Sequence, residues 1–139
     1  MNPRRRSSTP AAVLLDTNAL LWLVSAPERV SESAREVLSE PNTEVMVSAA
    51  SAWEIAIKTR LCRLDGDPLL SAWSDVLGDM TAIELPIDAG DAILAGRLPW
   101  QHRDPFDRMI VAQAARRNLT IATSDTRIIR AALTSTLKI

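Results

Sequence analysis

The chain has 139 residues, 47% of them hydrophobic and 24% charged, the balance of an ordinary globular domain long enough to bury one core. Its 16 basic and 17 acidic residues leave a net charge of −1, so bulk charge announces no nucleic-acid partner, and any such contact must come from a local basic surface. One cysteine, Cys62, excludes an internal disulfide framework, and without a Cys/His cluster a structural zinc site is excluded too.

The first residues, "MNPRRRSSTP" followed by "AAVLLDTNALLWLVSA", superficially resemble a signal peptide. Asp16, Thr17 and Asn18 interrupt the apolar stretch, and a charge there is costly in a membrane segment. Residues 1–10 are therefore read as a short, flexible basic arm, and 11–139 as a single domain with no membrane association and a cytoplasmic location.

"AAVLL" (11–15) is a continuous apolar run, the pattern of a strand buried on both faces. "NALLWLVS" predicts a short helix, and Ser31 caps a second through "ESAREVLSE". "EVMVS" (44–48) is the second strand, after which Ser48 caps a long helix to about Arg63 with Trp53, Ile57 and Leu61 spaced to face inward. Asp67 as cap and Pro68 at the first helical position start one amphipathic helix through "LLSAWSDVLGDM". "TAIEL" (81–85) is a weaker third strand, and Asp88 opens the helix "AGDAILAGRL". "HRDPFDR" (102–108) begins the next helix, with Asp104 as N-cap, Pro105 at N1 and Asp107 at N3, both charges favoured by the helix dipole. "LTIAT" (119–123) is the fourth strand, "DTRIIRAALTS" the last helix, and "TLKI" a marginal edge strand. Strands alternating with helices argue for an α/β sandwich on a mostly parallel sheet, because parallel strands need helical crossovers.

In open parallel sheets ligands bind outside the carboxyl ends of the strands. Asp16 directly follows the first strand, and Asp125 follows the fourth after Ser124. Glu54 lies about two turns into the helix after the second strand. Asp107 lies in the first turn of a helix that leads into the fourth strand, so it too belongs at the carboxyl edge. Singly, each acid has a structural reading: a turn, a cap, or for Glu54 an i, i+4 pair with Lys58. Gathered at one edge they repel, and a divalent cation relieves that repulsion. Oxygen donors point to Mg²⁺ or Mn²⁺, which neutralises a scissile phosphate and lowers the pKa of a bound water.

"LLDTNALLW", "VSAASAWEIAIK", "HRDPFDRMIVAQA" and "ATSD" occur in an order and at separations that resemble PIN-domain nucleases, most of all the VapC-type toxins of bacterial toxin–antitoxin pairs. The resemblance covers residues 13 to about 130 and implies a three-layer α/β/α sandwich. It implies a metal-dependent endoribonuclease that leaves a 3′-hydroxyl and a 5′-phosphate. By position, Asp16, Glu54, Asp107 and Asp125 match the family's acidic cluster, and Asp104 an extra acid of this subgroup. Thr17, Asn18 and Thr123 match polar positions beside it. The implied partners are an RNA substrate and a small antitoxin, in a homodimer or a toxin–antitoxin hetero-oligomer. The arm ahead of the first strand and the missing aromatic near the C-terminus depart from the pattern.

Arg97, Arg103 and Arg108 are candidate phosphate contacts, although Arg103 and Arg108 also suit pairing with Asp104 and its neighbours. His102 and Trp100 are candidate substrate contacts, whereas Trp22, Trp53 and Trp73 suit core packing or a dimer face. Three alternatives compete. A haloacid-dehalogenase-like phosphatase needs a second aspartate where Asn18 stands. A phospho-receiver module needs an acidic pair after the first strand. A catalytically inactive PIN-like binding module would have no need of the full acidic set.

Overall fold

The parallel sheet builds outward from its most apolar strand. In the computed structural model, which describes residues 10–139, that strand is β1 (Ala12–Leu15). It is flanked by β2 (Glu44–Ser48) and β4 (Thr120–Thr123), with β3 (Ala82–Leu85) and β5 (Thr136–Lys138) at the edges, in the order β3-β2-β1-β4-β5. Every neighbouring pair is parallel. The marginal "TLKI" is thus a genuine fifth strand, in register with β4 from Ile121 against Thr136. Most of the basic arm, residues 1–9, lies outside the described residues.

Successive side chains of a strand point to opposite faces, and each face has its own core. Leu14 and Ile121 meet Ile110, Val111, Ala112 and Ala114 of α7 (Pro105–Arg117), Ala95 of α6 (Ala89–Arg97) and Ile128 of α8 (Thr126–Ala131). On the other face Val13, Leu15, Val45 and Val47 meet Ala19 and Leu20 of α1 (Thr17–Ser25) and Ile55 of α3 (Ala49–Arg60). Leu69 of α4 (Asp67–Ser71) and Leu77 of α5 (Trp73–Asp79) complete that layer, with α2 (Glu32–Leu38) beside it. The result is a three-layer α/β/α sandwich.

Two local expectations are corrected. The helix expected over 67–80 is two helices, and Asp67 is the first helical residue, not the cap, because Gly66 occupies the cap position. The chain turns at Ala72 between them. That turn lets Leu69 and Leu77 enter the same core while the Trp73 Nε1–H donates to Glu84 Oε1 at 2.8 Å. On α3, Trp53 and Leu61 do not face inward: they are 56% and 47% exposed, and Ala50, Ser51, Glu54 and Ile55 are buried instead. The inward face instead carries Ser51, bonded to the Thr17 hydroxyl, and Glu54, which pairs with Lys58 through one oxygen only.

Candidate active site

The chain order of the sheet puts its switch point between β1 and β4: from β1 the chain moves outward through β2 and β3, and β4 then returns to the other side. A crevice opens at such a point, outside the carboxyl ends. Asp16 stands there as the N-cap of α1, its backbone N–H bonded to the Ala122 carbonyl of β4 at 3.1 Å. Its Oδ1 accepts from the Ala19 N–H at 2.8 Å and its Oδ2 from the Thr123 hydroxyl at 2.5 Å. Thr123 in turn accepts from the Asp125 N–H at 2.9 Å, so one buried hydroxyl ties the ends of β1 and β4 together. Asp125 caps α8 through the Arg127 N–H at 2.9 Å.

Glu54 arrives from α3, in the same helical layer as α1. Ser48 caps α3 at the Ala50 N–H (3.0 Å) and donates to Gln113 Oε1 of α7 at 2.6 Å, which fixes where that helix starts. The Ser51 and Thr17 hydroxyls bond at 2.9 Å and hold α3 against α1. Glu54, one turn on, is buried; its Oε2 accepts from Lys58 Nζ, while its Oε1 has no hydrogen-bond partner among the described residues.

Asp104 caps α7 by accepting from the N–H groups of Phe106 and Asp107 at 2.9 and 3.0 Å, the geometry the "DPFD" spacing calls for. Asp107 Oδ2 lies 2.7 Å from His102 Nε2.

Asp16, Thr17, Asn18, Glu54, Lys58, Asp104, Asp107, Asp125 and Arg127 line one cleft of about 100 Å³. Burial, reinforced by the Asp107 and Asp125 charges, pushes the Asp16 carboxyl up to about 6 despite the bonds from Thr123 and Ala19. Burial also raises Asp107, with Asp104 and Glu54 adding to it and the His102 bond opposing. Asp125 is lowered, chiefly by its hydrogen bond from Arg127.

The structure thus brings all five sequence-predicted acids to one cleft. The tightest group of metal-type donor atoms among the described residues is His102, Asp107 and Asp125, all within 4.8 Å of one another. Asp16 and Glu54 line the cleft outside that group. The basic and aromatic candidates gather elsewhere: Trp100, Gln101, His102, Arg103 and Arg108 line an adjoining cavity of about 620 Å³. Arg97, exposed at the end of α6, lines neither space. Arg108 forms no pair with Asp104. Its guanidinium donates to the carbonyls of Ala95 (2.8 Å), Trp100 (2.7 Å), Leu98 (2.9 Å) and His102 (3.0 Å), pinning the loop ahead of α7. Thr17 and Thr123 spend their hydroxyls on Ser51 and Asp16, inside the protein. Sequence reasoning passed over Arg127 and treated Lys58 only as a surface partner. Their spacing from Asp125 and Glu54, two and four residues on, was the available signal.

The PIN domain family profile matches residues 13–133, nearly the whole chain. The chain belongs to the PIN domain family. No curated protein matches this PIN domain, but solved structures do. VapBC2 from Rickettsia felis, solved bound to a DNA fragment from their promoter, aligns with a TM-score of 0.68 at 14% identity, over 91% of this chain and 97% of that one. VapBC-1 from nontypeable Haemophilus influenzae aligns with a TM-score of 0.68 at 16% identity, over 91% and 97%. VapBC-5 from Mycobacterium tuberculosis, a member of the VapBC family of toxin–antitoxin systems, aligns with a TM-score of 0.58 at 21% identity, over 94% and 100%. At these identities the likeness is one of fold. PIN domains are nucleases, so the cleft is the candidate active site of a hydrolase.

Donor chemistry tests whether a divalent cation suits the cleft. Five carboxylates face two cations, Lys58 and Arg127, and one buried carboxylate oxygen, Glu54 Oε1, has no partner. An orphaned buried acceptor beside carboxyls whose ionisation is suppressed is what a hard cation satisfies. The residues fit.

Proposed function

We propose that this PIN domain is a Mg²⁺- or Mn²⁺-dependent endoribonuclease, the toxin of a toxin–antitoxin pair. The observation that carries the reading is the cleft itself, where Glu54 Oε1 is buried without a partner among Asp16, Asp104, Asp107 and Asp125. Asp16, Glu54, Asp107 and Asp125 would hold the cation, with Asp104 beside them. When bound, a divalent cation supplies Lewis acidity that neutralises the scissile phosphodiester and makes hydroxide available near neutral pH.

The chain's own residues do the rest. Thr123 and the Ala19 N–H hold Asp16 in one orientation. His102 holds Asp107, and no histidine base is required where a bound cation would supply the hydroxide. Water adds at phosphorus and the bond to the 3′ oxygen breaks, which leaves a 3′-hydroxyl and a 5′-phosphate. Trp100, His102 and Arg103 line the adjoining cavity, a place for nucleotides flanking the scissile bond. Thr17 and Asn18 complete the cleft wall.

The fold shared with VapBC complexes supports a cognate antitoxin as partner, with homodimerisation or a toxin–antitoxin hetero-oligomer. No helix among the described residues is long and apolar enough to cross a membrane, and the proposed location is the cytoplasm.

RNA cleavage with and without Mg²⁺ or Mn²⁺ tests the reading, using wild type, Asp16→Asn and Asp107→Asn. Cation-dependent cutting by the wild type alone is expected; equal cutting by all three would sink the site assignment. Toxicity relieved only by co-expression of the neighbouring gene product tests the toxin role.

A further inference from the structure

The acidic cleft carries two cations of its own, and they engage their carboxylates differently. Lys58 bonds to Glu54 Oε2 and leaves Oε1 available, so it can stay in place while Glu54 meets another cation. Arg127 leaves Asp125 nothing comparable. Its Nε donates to Oδ1 at 3.2 Å and a terminal nitrogen to Oδ2 at 3.0 Å, while its backbone N–H also takes Oδ1 at 2.9 Å. Yet Asp125 is the carboxylate that lies within 4.8 Å of the donor atoms of Asp107 and His102. Whatever binds there must contend with the guanidinium.

The guanidinium is placed to yield. The Arg127 side chain is 63% exposed, and among the described residues it makes no side-chain hydrogen bond except to Asp125. An exposed ion pair is weak and screened, and a divalent cation competes for the same lone pairs with twice the charge. Once released, the side chain is still anchored at the start of α8, on the wall of the cleft. Its planar fork matches phosphate oxygens as well as it matches a carboxylate.

We propose that Arg127 is an exchangeable counter-ion. It holds Asp125 while no divalent cation is bound, surrenders that carboxylate when one binds, and then contacts a backbone phosphate of the nucleic acid entering the cleft. The phosphate contact rests on the nuclease reading; the exchange at Asp125 does not.

Mn²⁺ titration of the full chain without RNA, read by the paramagnetic resonance of free Mn²⁺, tests the exchange. Arg127→Gln is expected to bind Mn²⁺ about fivefold more tightly than wild type. Arg127→Lys, which keeps the charge but loses the fork, falls between the two. Lys58→Gln is expected to change the affinity by less than about twofold. Unchanged affinity in Arg127→Gln overturns the exchange, as does equal tightening in Lys58→Gln, which would make the effect one of charge alone. At saturating Mn²⁺, the KM of Arg127→Gln for a single-stranded RNA is expected to rise about fivefold. The slope of log KM against log salt should fall by roughly 0.7, one phosphate contact. An unchanged KM and slope overturn the phosphate contact. If the wild type binds Mn²⁺ and cuts no RNA, the nuclease reading fails, and the titration alone still decides the exchange.

Discussion

Helix α7 carries an acidic centre at each end, and the two are opposites. Its first turn delivers Asp107 to a cleft where five carboxylates face two cations and one buried oxygen has no partner. Its last turn sets Arg116 and Arg117 over Asp91, which is fully buried in the first turn of α6. There Arg116 and Arg117 donate to Asp91 Oδ1 at 2.6 and 2.7 Å, Arg117 also reaches Oδ2 at 3.1 Å, and Gln113 Nε2 adds a bond at 3.2 Å. Gly90 permits this, because a Cβ in its place would lie 2.6 Å from the Arg116 guanidinium. Burial works to raise the Asp91 carboxyl, but the bonds from Arg117, the Asp88–Asp91 capping box and Arg116 outweigh it and hold it well below the usual range. One end of the helix is satisfied by its own arginines, whereas at the other the carboxylates lining the cleft outnumber the cations. Roughly 14 Å of helix separates them, at about 1.5 Å per residue.

The contrast can be broken by mutation. Asp107→Asn is expected to lower RNA cleavage by more than the roughly 10–100-fold typical for loss of an outer-shell metal partner. It should leave the metal-free protein as stable as wild type, or more so by up to about 1 kcal/mol, because it removes a repelling charge. Asp91→Asn should do the reverse: a loss of about 3 kcal/mol in urea denaturation, the low end for a broken buried pair because both arginines keep some water. If Asp107→Asn destabilises as much as Asp91→Asn, the two ends are not distinct.

Cation binding sharpens the same comparison. Mn²⁺ at about 100 times its dissociation constant should add about 2.7 kcal/mol to the unfolding free energy. Calorimetry should find that gain lost in Asp107→Asn and kept in an Asp91→Asn protein that still folds.

The two ends should also titrate with opposite sign. Asp16 is raised in the fold, from 3.8 to about 6, so its protonated form is the favoured one. Its contribution is complete below the unfolded value and fades as pH rises through about 6, at most about 2–3 kcal/mol in the metal-free protein. Asp91 is depressed, so its contribution is complete above the usual carboxylate range and is lost as pH falls through and below it. As pH rises from 4 to 6 without metal, denaturation should therefore show a decline in stability that Asp16→Asn reduces and Asp91→Asn does not.

Much of this was legible along the chain. The short runs at 11–15, 44–48 and 119–123, rich in apolar and β-branched residues and bounded by polar and capping residues, read as strands of a sheet buried on both faces. The "DPFD" helix start follows from local capping chemistry, and Asp16 stands immediately beyond its strand and Asp125 one residue further on, in the sequence itself. Local pattern failed where a side chain's surroundings depend on distant segments. Trp53 looks like a core residue by spacing, yet it lies exposed against Phe106, ring centroids 5.0 Å apart, because Glu54 claims the inward face. Arg108 looks like a phosphate contact, and only the packing of α6 against α7 turns it onto carbonyl oxygens.

The residue types by themselves determined the alternation of strand and helix and the acids at the strand ends, since both follow from hydrophobic period and local capping. Tertiary structure decided which of the two first-turn aspartates Asp91 and Asp107 has arginine counter-charges. Asp91 and Asp107 are both first-turn aspartates on neighbouring helices, and nothing nearby in sequence tells them apart. Asp91 meets Arg116 and Arg117 from 25 and 26 residues away, while Asp107 meets Asp16, Glu54 and Asp125, because the sheet gathers strand ends that the chain keeps far apart.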